Sequence, residues 1–491
     1  MLTTTLVKPE SPPTVRPEER RGASVAEMAV AAGAFALFCI VVLTKATRLL
    51  EPDDAAYLAS IIALSHGHLT LTTAQYHAVS SQMQGSYGTG IQQWVHLADG
   101  RWMSEKNPGY PFYAVFFYWI GALRAAPLFA AGAASVGLFA GARQWLGKWG
   151  GTWAVILFLS SGAAIAFAWR DTMPSFTDAS FVAAGAGALV WTMLATEATT
   201  RLRTVIGLLG FVALEAAVFI RYTDVVLLAV ATIAVLCFHR RAHMAARALW
   251  WWFGSLGAFA ALVLLFDATF YGGPLKTGYG AGEITFSLSA IGPNLRLMPS
   301  HLVEAIPALL LGLAALGWIA VRLVLSTGNV DPPVATTSRR DAAVGSVLAV
   351  GWFGLWGLYA AYTWTARMGA GGGPGGGGGG GAIHIIRFYL PAIGLIALLG
   401  AWFLAQLPRW LPPVLLAAVA GLGIWSFESL TAVGALGGAG GGIPGLPGAG
   451  GGVGPGSGPP PGGRLGGGPP SGSGFGGRPP SGSGFGGGSA P

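Results

Sequence analysis

Charge is scarce in this sequence. Only 10% of its 491 residues are Asp, Glu, Lys or Arg, whereas soluble proteins carry about 25%. Hydrophobic residues make up 53%, with 18 Trp and 25 Phe, and the mean hydropathy is +0.58. Apolar stretches of about 20 residues recur along the chain, and each is long enough to cross a bilayer core. The composition therefore excludes an ordinary soluble protein and predicts a polytopic integral membrane protein.

Cysteine and the common nucleotide and metal motifs are also scarce or absent. Cys39 and Cys237 both fall in apolar stretches, so they predict buried small side chains and not a disulfide framework. The sequence contains no GxxxxGK[ST], HEXXH or CxxC motif, which argues against a P-loop ATPase and a zinc site. The net charge is +8, but the basic residues are scattered between the apolar stretches. Orientation signals and contacts with anionic lipid explain them better than nucleic acid does.

The apolar pattern predicts an all-α protein of about eleven to twelve transmembrane helices. Segment 110–123 is apolar but short for a span. The predicted spans are 27–45, 126–144, 150–168, 176–196, 203–219, 222–238, 247–267, 302–325, 343–363, 385–404 and 411–429.

Short basic loops predict the orientation of these spans. Such loops face the cytoplasm, and here they contain Arg201 with Arg203, Arg240 with Arg241 and Arg247, and Arg339 with Arg340. With the N-terminus inside, this orientation requires 110–123 to be re-entrant or interfacial. Residues 46–125 then form one large first extracytoplasmic loop.

The ends of the chain and one internal segment differ in composition from the rest. Residues 1–26 are polar and Pro-rich, and predict a disordered cytoplasmic N-terminus with no cleavable signal peptide. Residues 370–382 form a Gly-rich insert within the membrane domain 27–430. Residues 431–491 are rich in Gly and Pro and contain PPSGSGFGG twice. That composition predicts a disordered tail.

Two adjacent carboxylates, Asp53 and Asp54, open the stretch PDDAAYLASIIALSHG at residues 52–67. One of them could cap a helix and interact with its positive end. A cap needs one carboxylate, however, and charges at membrane depth are usually functional. Apolar residues after the pair recur at helical spacing, which predicts a helix with one apolar side in the interface plane. The residues alone leave both the structural and the functional interpretation open.

Three cations lie at predicted outer ends of spans: Lys106, Arg221 and Arg387. Lys106 precedes a Pro- and Gly-containing turn and could contact a lipid phosphate, or it could simply reach the interface. Arg221 could bind an anion, or it could pair with Asp224 three residues later. Arg387 allows a similar choice. Carboxylates and guanidiniums thus gather at one side of the membrane, as a shared site would require.

Four motifs resemble the GT-C superfamily of glycosyltransferases, in particular protein O-mannosyltransferases and the aminoarabinose transferases of lipid A. The acidic pair with Tyr57 resembles the signature D-[DE]-x-x-Y. KNPGYPFYAV at 106–115 is similar to the family's Pro-rich return to the membrane. ATFYGGPLKTGYG at 268–280 and RFYLPAIGLIALL at 387–399 resemble two later motifs, in family order. Asp54 stands where many relatives have Glu.

The resemblance implies an inverting transfer of a sugar from a polyprenyl-phosphate donor to an acceptor hydroxyl at the extracytoplasmic face. Asp53 would be the general base, and Asp54 would orient the acceptor or bind the sugar. Lys106, Arg221 and Arg387 would contact the donor phosphate. Tyr57 and Tyr279 would line the site, although aromatic packing explains them equally well.

We expect no resident cofactor, because the sequence has no compact acidic cluster beyond Asp53 and Asp54 that would hold a divalent metal ion. The implied acceptor is a glycan, lipid or protein, and the implied location is a bacterial plasma membrane. Two rivals remain: a transporter or flippase for lipid-linked sugars, and a scaffold that acts through its Gly-rich tail. Transporters often show internal repeats and charges within helices, and neither is evident here.

Overall fold

A computed structural model describes residues 23–44, 52–279, 284–326, 332–369 and 385–437. These residues belong to one compact unit and are mostly helical with very little strand, as the sequence predicts. Two short strands, β1 (Trp94–His96) and β2 (Trp102–Ser104), pair antiparallel in the first loop. The helices are α1 (Val25–Thr44), α2 (Pro52–Ser65), α3 (Thr73–Tyr87), α4 (Gly109–Trp119), α5 (Ala125–Leu146), α6 (Gly150–Leu159), α7 (Gly162–Trp169), α8 (Ser175–Leu194), α9 (Thr200–Ile220), α10 (Val225–Phe238), α11 (Ala246–Tyr271), α12 (Leu288–Ala305), α13 (Ala308–Ser326), α14 (Pro332–Ala360), α15 (Thr363–Gly369), α16 (Ile393–Leu404) and α17 (Leu411–Gly437).

The predicted spans all coincide with helices, but they are not equally regular. Within the described residues, seven helices are long and apolar enough to cross a membrane. Two further predicted spans belong to bent helix pairs: α6 and α7 meet at 59°, and α13, which makes up most of span 302–325, meets α12 at 108°. Two more, Tyr222–Phe238 and Leu390–Leu404, are shorter apolar helices. The protein is a multi-pass membrane protein whose helices include broken and short members.

Glycines bring α5 and α8 into close contact in the middle of the bundle. A Cβ atom at Gly141 would lie 2.4 Å from the carbonyl oxygen of Gly187, and one at Gly137 would lie 2.6 Å from that of Ala184. Small residues at such positions let two helix backbones approach, which is how helices associate inside a membrane. This contact fixes α8, whose N-terminal end reaches the site described below.

The first loop folds around α2. One side of α2 packs against α3 and the hairpin through Leu58 and Ile62, and another packs through Tyr57 and Ile61 against α4 and the end of α9. The sequence pattern predicts one buried side, whereas α2 is buried almost all round. The difference arises because other parts of the first loop, namely α3, the hairpin and α4, pack on several sides of α2. Segment 110–123 contains the short helix α4, and its relation to the bilayer stays a prediction.

Several sequence predictions fall on residues outside the described ranges. These residues are 1–22 of the predicted N-terminal segment, all of the Gly-rich insert 370–382, and the tail beyond residue 437. Helix α17 continues to Gly437, beyond residue 431, where the sequence predicts the tail to begin.

Candidate active site

Asp53 and Asp54 lie in the first turn of α2, but their side chains enter different surroundings. The Asp53 side chain is 16% exposed. Its Oδ1 lies 3.1 Å from Lys106 Nζ, and its Oδ2 accepts a 2.7 Å hydrogen bond from Arg387 Nη1. A carboxylate held by two cations at the edge of a membrane domain is the centre of the candidate site.

Lys106 is held between two carboxylates and a phenol. Its ammonium lies 3.1 Å from Glu105 Oε1 and 3.4 Å from the hydroxyl of Tyr279. Burial lowers the pKa of Lys106, but the charges of Asp53 and Glu105 outweigh it and raise the pKa above its usual value. Lys106 therefore stays cationic at neutral pH. Glu105 was not among the predicted site residues, although its position next to Lys106 was a signal that could have identified it.

Tyr279 reaches Lys106 because the chain before it passes very close to Glu105. A Cβ atom at Gly278 would lie 2.4 Å from the Glu105 Cα, so only glycine fits there. Tyr271, at the end of α11, donates a 3.0 Å hydrogen bond to the carbonyl of Ser104. These two contacts attach the segment after α11 to the Lys106 loop.

Arg387 contacts Asp53 directly, and Arg221 contacts the backbone of Arg387. The Arg387 guanidinium lies 4.8 Å from the ring centroid of Phe388, which favours a cation. Arg221 Nη1 donates a 2.8 Å hydrogen bond to the backbone carbonyl of Arg387, and Arg221 Nε lies 3.5 Å from Asp178 Oδ2 in α8. Arg221 thus supports the backbone of Arg387, and its ion pair is made with Asp178.

Asp54 belongs to a second, fully buried group. Its Oδ2 lies 2.5 Å from Arg170 Nη2, and its Oδ1 accepts a 3.0 Å hydrogen bond from Thr172. The Asp54 side chain is 0% exposed. The structure therefore does not bring Asp54 into the Asp53 group, and the carboxylate instead joins α2 to the segment between α7 and α8. No local sequence pattern pairs Arg170 with Asp54.

Tyr57 lies between these two groups. Its ring meets that of Tyr110 edge-on, with centroids 5.8 Å apart, and the Tyr110 hydroxyl donates to the backbone carbonyl of Asp171. Burial raises the pKa of Tyr57 above its usual value, so the phenol stays neutral. These contacts are those of an aromatic packing residue that separates the Asp53 group from Asp171.

Asp171 is a titratable group that the sequence did not single out for chemistry. Burial raises its pKa to about 6, and the nearby Arg124 charge opposes the increase only in part. Asp171 thus changes charge close to physiological pH. Among the described residues, no three His, Cys, Asp or Glu side chains form a group that could hold a metal ion.

Comparison with known proteins yields structural similarity only. Neither the family models nor the curated proteins match the sequence. The apo oligosaccharyltransferase of Archaeoglobus fulgidus is similar, with a TM-score of 0.47 and 11% identity over 83% of this chain and 56% of that one. ArnT from Cupriavidus metallidurans bound to undecaprenyl phosphate has a TM-score of 0.35 and 15% identity over 78% of this chain and 77% of that one.

Both similar proteins are GT-C glycosyltransferases, the superfamily that the sequence motifs resemble. A second structure of the archaeal enzyme, in complex with an inhibitory peptide and a dolichol-phosphate, has a TM-score of 0.45 and 11% identity over 84% of this chain and 56% of that one. The chain thus spans a little over half the length of the archaeal enzyme. At TM-scores below 0.5 these similarities do not assign the chain to a family.

Proposed function

We propose that this protein is a membrane glycosyltransferase that moves a sugar from a polyprenyl-phosphate donor to an acceptor hydroxyl at the extracytoplasmic face. The observation that carries the proposal is the partly exposed Asp53 carboxylate between two cations, Lys106 and Arg387. The donor class is taken from the four motifs that resemble GT-C enzymes. Transfer proceeds in a single displacement and inverts the anomeric centre.

Lys106 and Arg387 suit a departing phosphate. Breaking the bond between sugar and phosphate leaves negative charge on the polyprenyl phosphate, and fixed cations stabilise that charge as it develops. Arg387 offers the planar donors that pair well with phosphate oxygens, and Lys106 adds a compact charge. Arg221 is a positioning residue because it holds the backbone of Arg387.

Asp53 is the general base of this reaction. The attacking hydroxyl must lose its proton as the new bond forms, and a carboxylate within hydrogen-bond reach can take it. Asp53 is 16% exposed and Asp54 is 0% exposed, so an acceptor can reach the first and not the second. Ion pairing makes a carboxylate a weaker base. A donor phosphate that takes over Lys106 and Arg387 restores the basicity of Asp53.

The test is sugar transfer by purified protein from a panel of polyprenyl-phosphate sugars, with wild type compared to Asp53→Asn. Removing a general base typically costs 10²- to 10⁴-fold in rate, and we expect a loss in that range. Asp99→Asn is the matched control, because Asp99 is an exposed carboxylate of the same loop that pairs with Arg101. It should retain full activity.

Two outcomes would overturn the proposal. Equal transfer by Asp53→Asn and wild type removes the general-base role. Movement of a lipid-linked sugar across vesicles without transfer from any donor identifies a flippase instead.

A further inference from the structure

A second site lies deep among the membrane helices. A cavity of about 480 Å³ opens between α8, α10 and α14. Most of its wall is aliphatic, and residues such as Val182, Leu189, Leu227, Val235, Val347 and Leu395 line it. Such a wall favours a hydrocarbon chain, since burying apolar surface is stabilising and no polar partner is required.

One end of this cavity is strongly basic. Arg241, Arg339 and Arg340 line it there, and no acidic residue lines the cavity. Arg241 lies over the Phe238 ring with its guanidinium 5.9 Å from the centroid. Arg340 Nη2 donates a 3.3 Å hydrogen bond to the carbonyl of Gln144. The charge distribution therefore fits a ligand with an apolar body and an anionic head.

The length of the cavity matches one leaflet. Along α8 its wall extends from Val182 to Leu194, which is roughly 18 Å at the rise of an α-helix. The hydrocarbon core of a bilayer is about 30 Å thick, so each leaflet contributes about half of that. A lipid chain in the cavity would span its own leaflet and place its phosphate at the arginines.

The cavity is separate from the Asp53 site. Helix α8 begins at Ser175, which accepts a hydrogen bond from Arg221, and ends at Leu194 beside the arginines. The two sites thus lie toward opposite ends of the same helix. A donor whose phosphate reaches Lys106 cannot place that phosphate at Arg339.

We propose that this cavity binds an anionic phospholipid, with one acyl chain between α8, α10 and α14 and the phosphate at Arg241, Arg339 and Arg340. Basic pockets between membrane helices recognise anionic headgroups in this way. The site does not depend on the proposed transferase activity, because it uses none of the residues of the Asp53 group.

The experiment measures lipid binding to the intact purified protein by native mass spectrometry. Phosphatidylglycerol and phosphatidylcholine of identical acyl chains are compared. We expect wild type to bind phosphatidylglycerol roughly tenfold more tightly, and Arg241→Gln/Arg339→Gln to lose most of that preference. Arg201→Gln is the matched control, since Arg201 is exposed in the first turn of α9 and does not line the cavity.

A second measurement locates the chain. Phosphatidylglycerol with a photoreactive group on its acyl chain should crosslink to α10 and α14, and Ala231→Phe, which fills the cavity, should abolish the crosslink. Equal binding of the two lipids, an unchanged double variant, or crosslinks outside these helices would each overturn the proposal. Displacement of the phospholipid by undecaprenyl phosphate, with the same dependence on Arg241 and Arg339, would assign the cavity to the donor instead.

Discussion

Asp53 and Asp54 are adjacent aspartates at the start of α2, but their side chains have different surroundings. Asp53 is partly exposed and pairs with two cations, whereas Asp54 is fully buried against Arg170 and Thr172. A buried charge is tolerated when it is paired and hydrogen-bonded. Asp54 therefore has a structural role, and Asp53 is the carboxylate that remains available for chemistry.

Asp54→Asn should destabilise the protein more than Asp53→Asn does. The substitution removes the carboxylate partner of a guanidinium that is 1% exposed, and breaking a buried ion pair from one side costs about 3–5 kcal/mol. Thermal unfolding in detergent measures the difference. Adding Arg170→Met to Asp54→Asn should recover part of the loss, and a Tm of Asp54→Asn equal to that of wild type would show that the Asp54 pair adds no stability.

Asp171 predicts a pH dependence of stability. Its folded pKa is about 6, above the unfolded value near 3.9, so the folded state holds the proton more tightly. Stability is then greatest below about pH 4 and falls by about 2–3 kcal/mol as the pH rises to 6. Unfolding midpoints measured from pH 4 to pH 7 should decline less in Asp171→Asn than in wild type, and parallel declines would contradict the assignment.

At the scale of elements, the site depends on a close backbone contact that is far from obvious in the sequence. Gly278 touches Glu105 and so brings Tyr279 to Lys106. The residues that meet here come from α2, the segment after β2 and the segment after α11. The contact between Glu105 and Gly278 leaves no space for even one added methyl group at residue 278.

Gly278→Ala should therefore separate Tyr279 from Lys106. Because a Cβ would lie 2.4 Å from backbone, the segment must shift, and we expect kcat/KM for donor transfer to fall roughly tenfold, as for small misplacements of catalytic groups. Gly273→Ala is the control, since its Cβ would meet only the flexible side chain of Lys276. Comparable activity of the two variants at comparable Tm would show that the Tyr279 contact is dispensable.

The elements show how far sequence patterns reach. Hydropathy located helices at the predicted spans, seven of them long and apolar enough to cross a membrane, because a run of apolar residues is a local property. It did not predict the 108° bend between α12 and α13 or the all-round burial of α2, since both depend on what packs nearby. The site was predictable in part: Asp53, Lys106, Tyr279 and Arg387 do meet. The Asp54–Arg170 pair links residues 116 positions apart, and nothing local identifies such partners.

The whole molecule has a side on which its acids and cations meet and another on which its short basic loops lie. This arrangement predicts that the first loop is extracytoplasmic. Ala98 lies exposed in the turn between β1 and β2. Residue 98 is thus a suitable reporter of orientation.

Ala98→Cys should react with a membrane-impermeant maleimide on intact cells. The background needs Cys39 and Cys237, the two native cysteines, replaced by Ala. Arg201→Cys in the same background should react only after permeabilisation. The reverse pattern would invert the topology, and it would move the Asp53 group to the cytoplasmic face.

The pairing of Asp53 with Lys106 and Arg387 has a kinetic consequence. An acceptor hydroxyl that arrives first meets a carboxylate already neutralised by two cations, while a phosphate that arrives first competes for those cations and releases the carboxylate. Under the proposed mechanism this exchange imposes an order of binding, donor before acceptor.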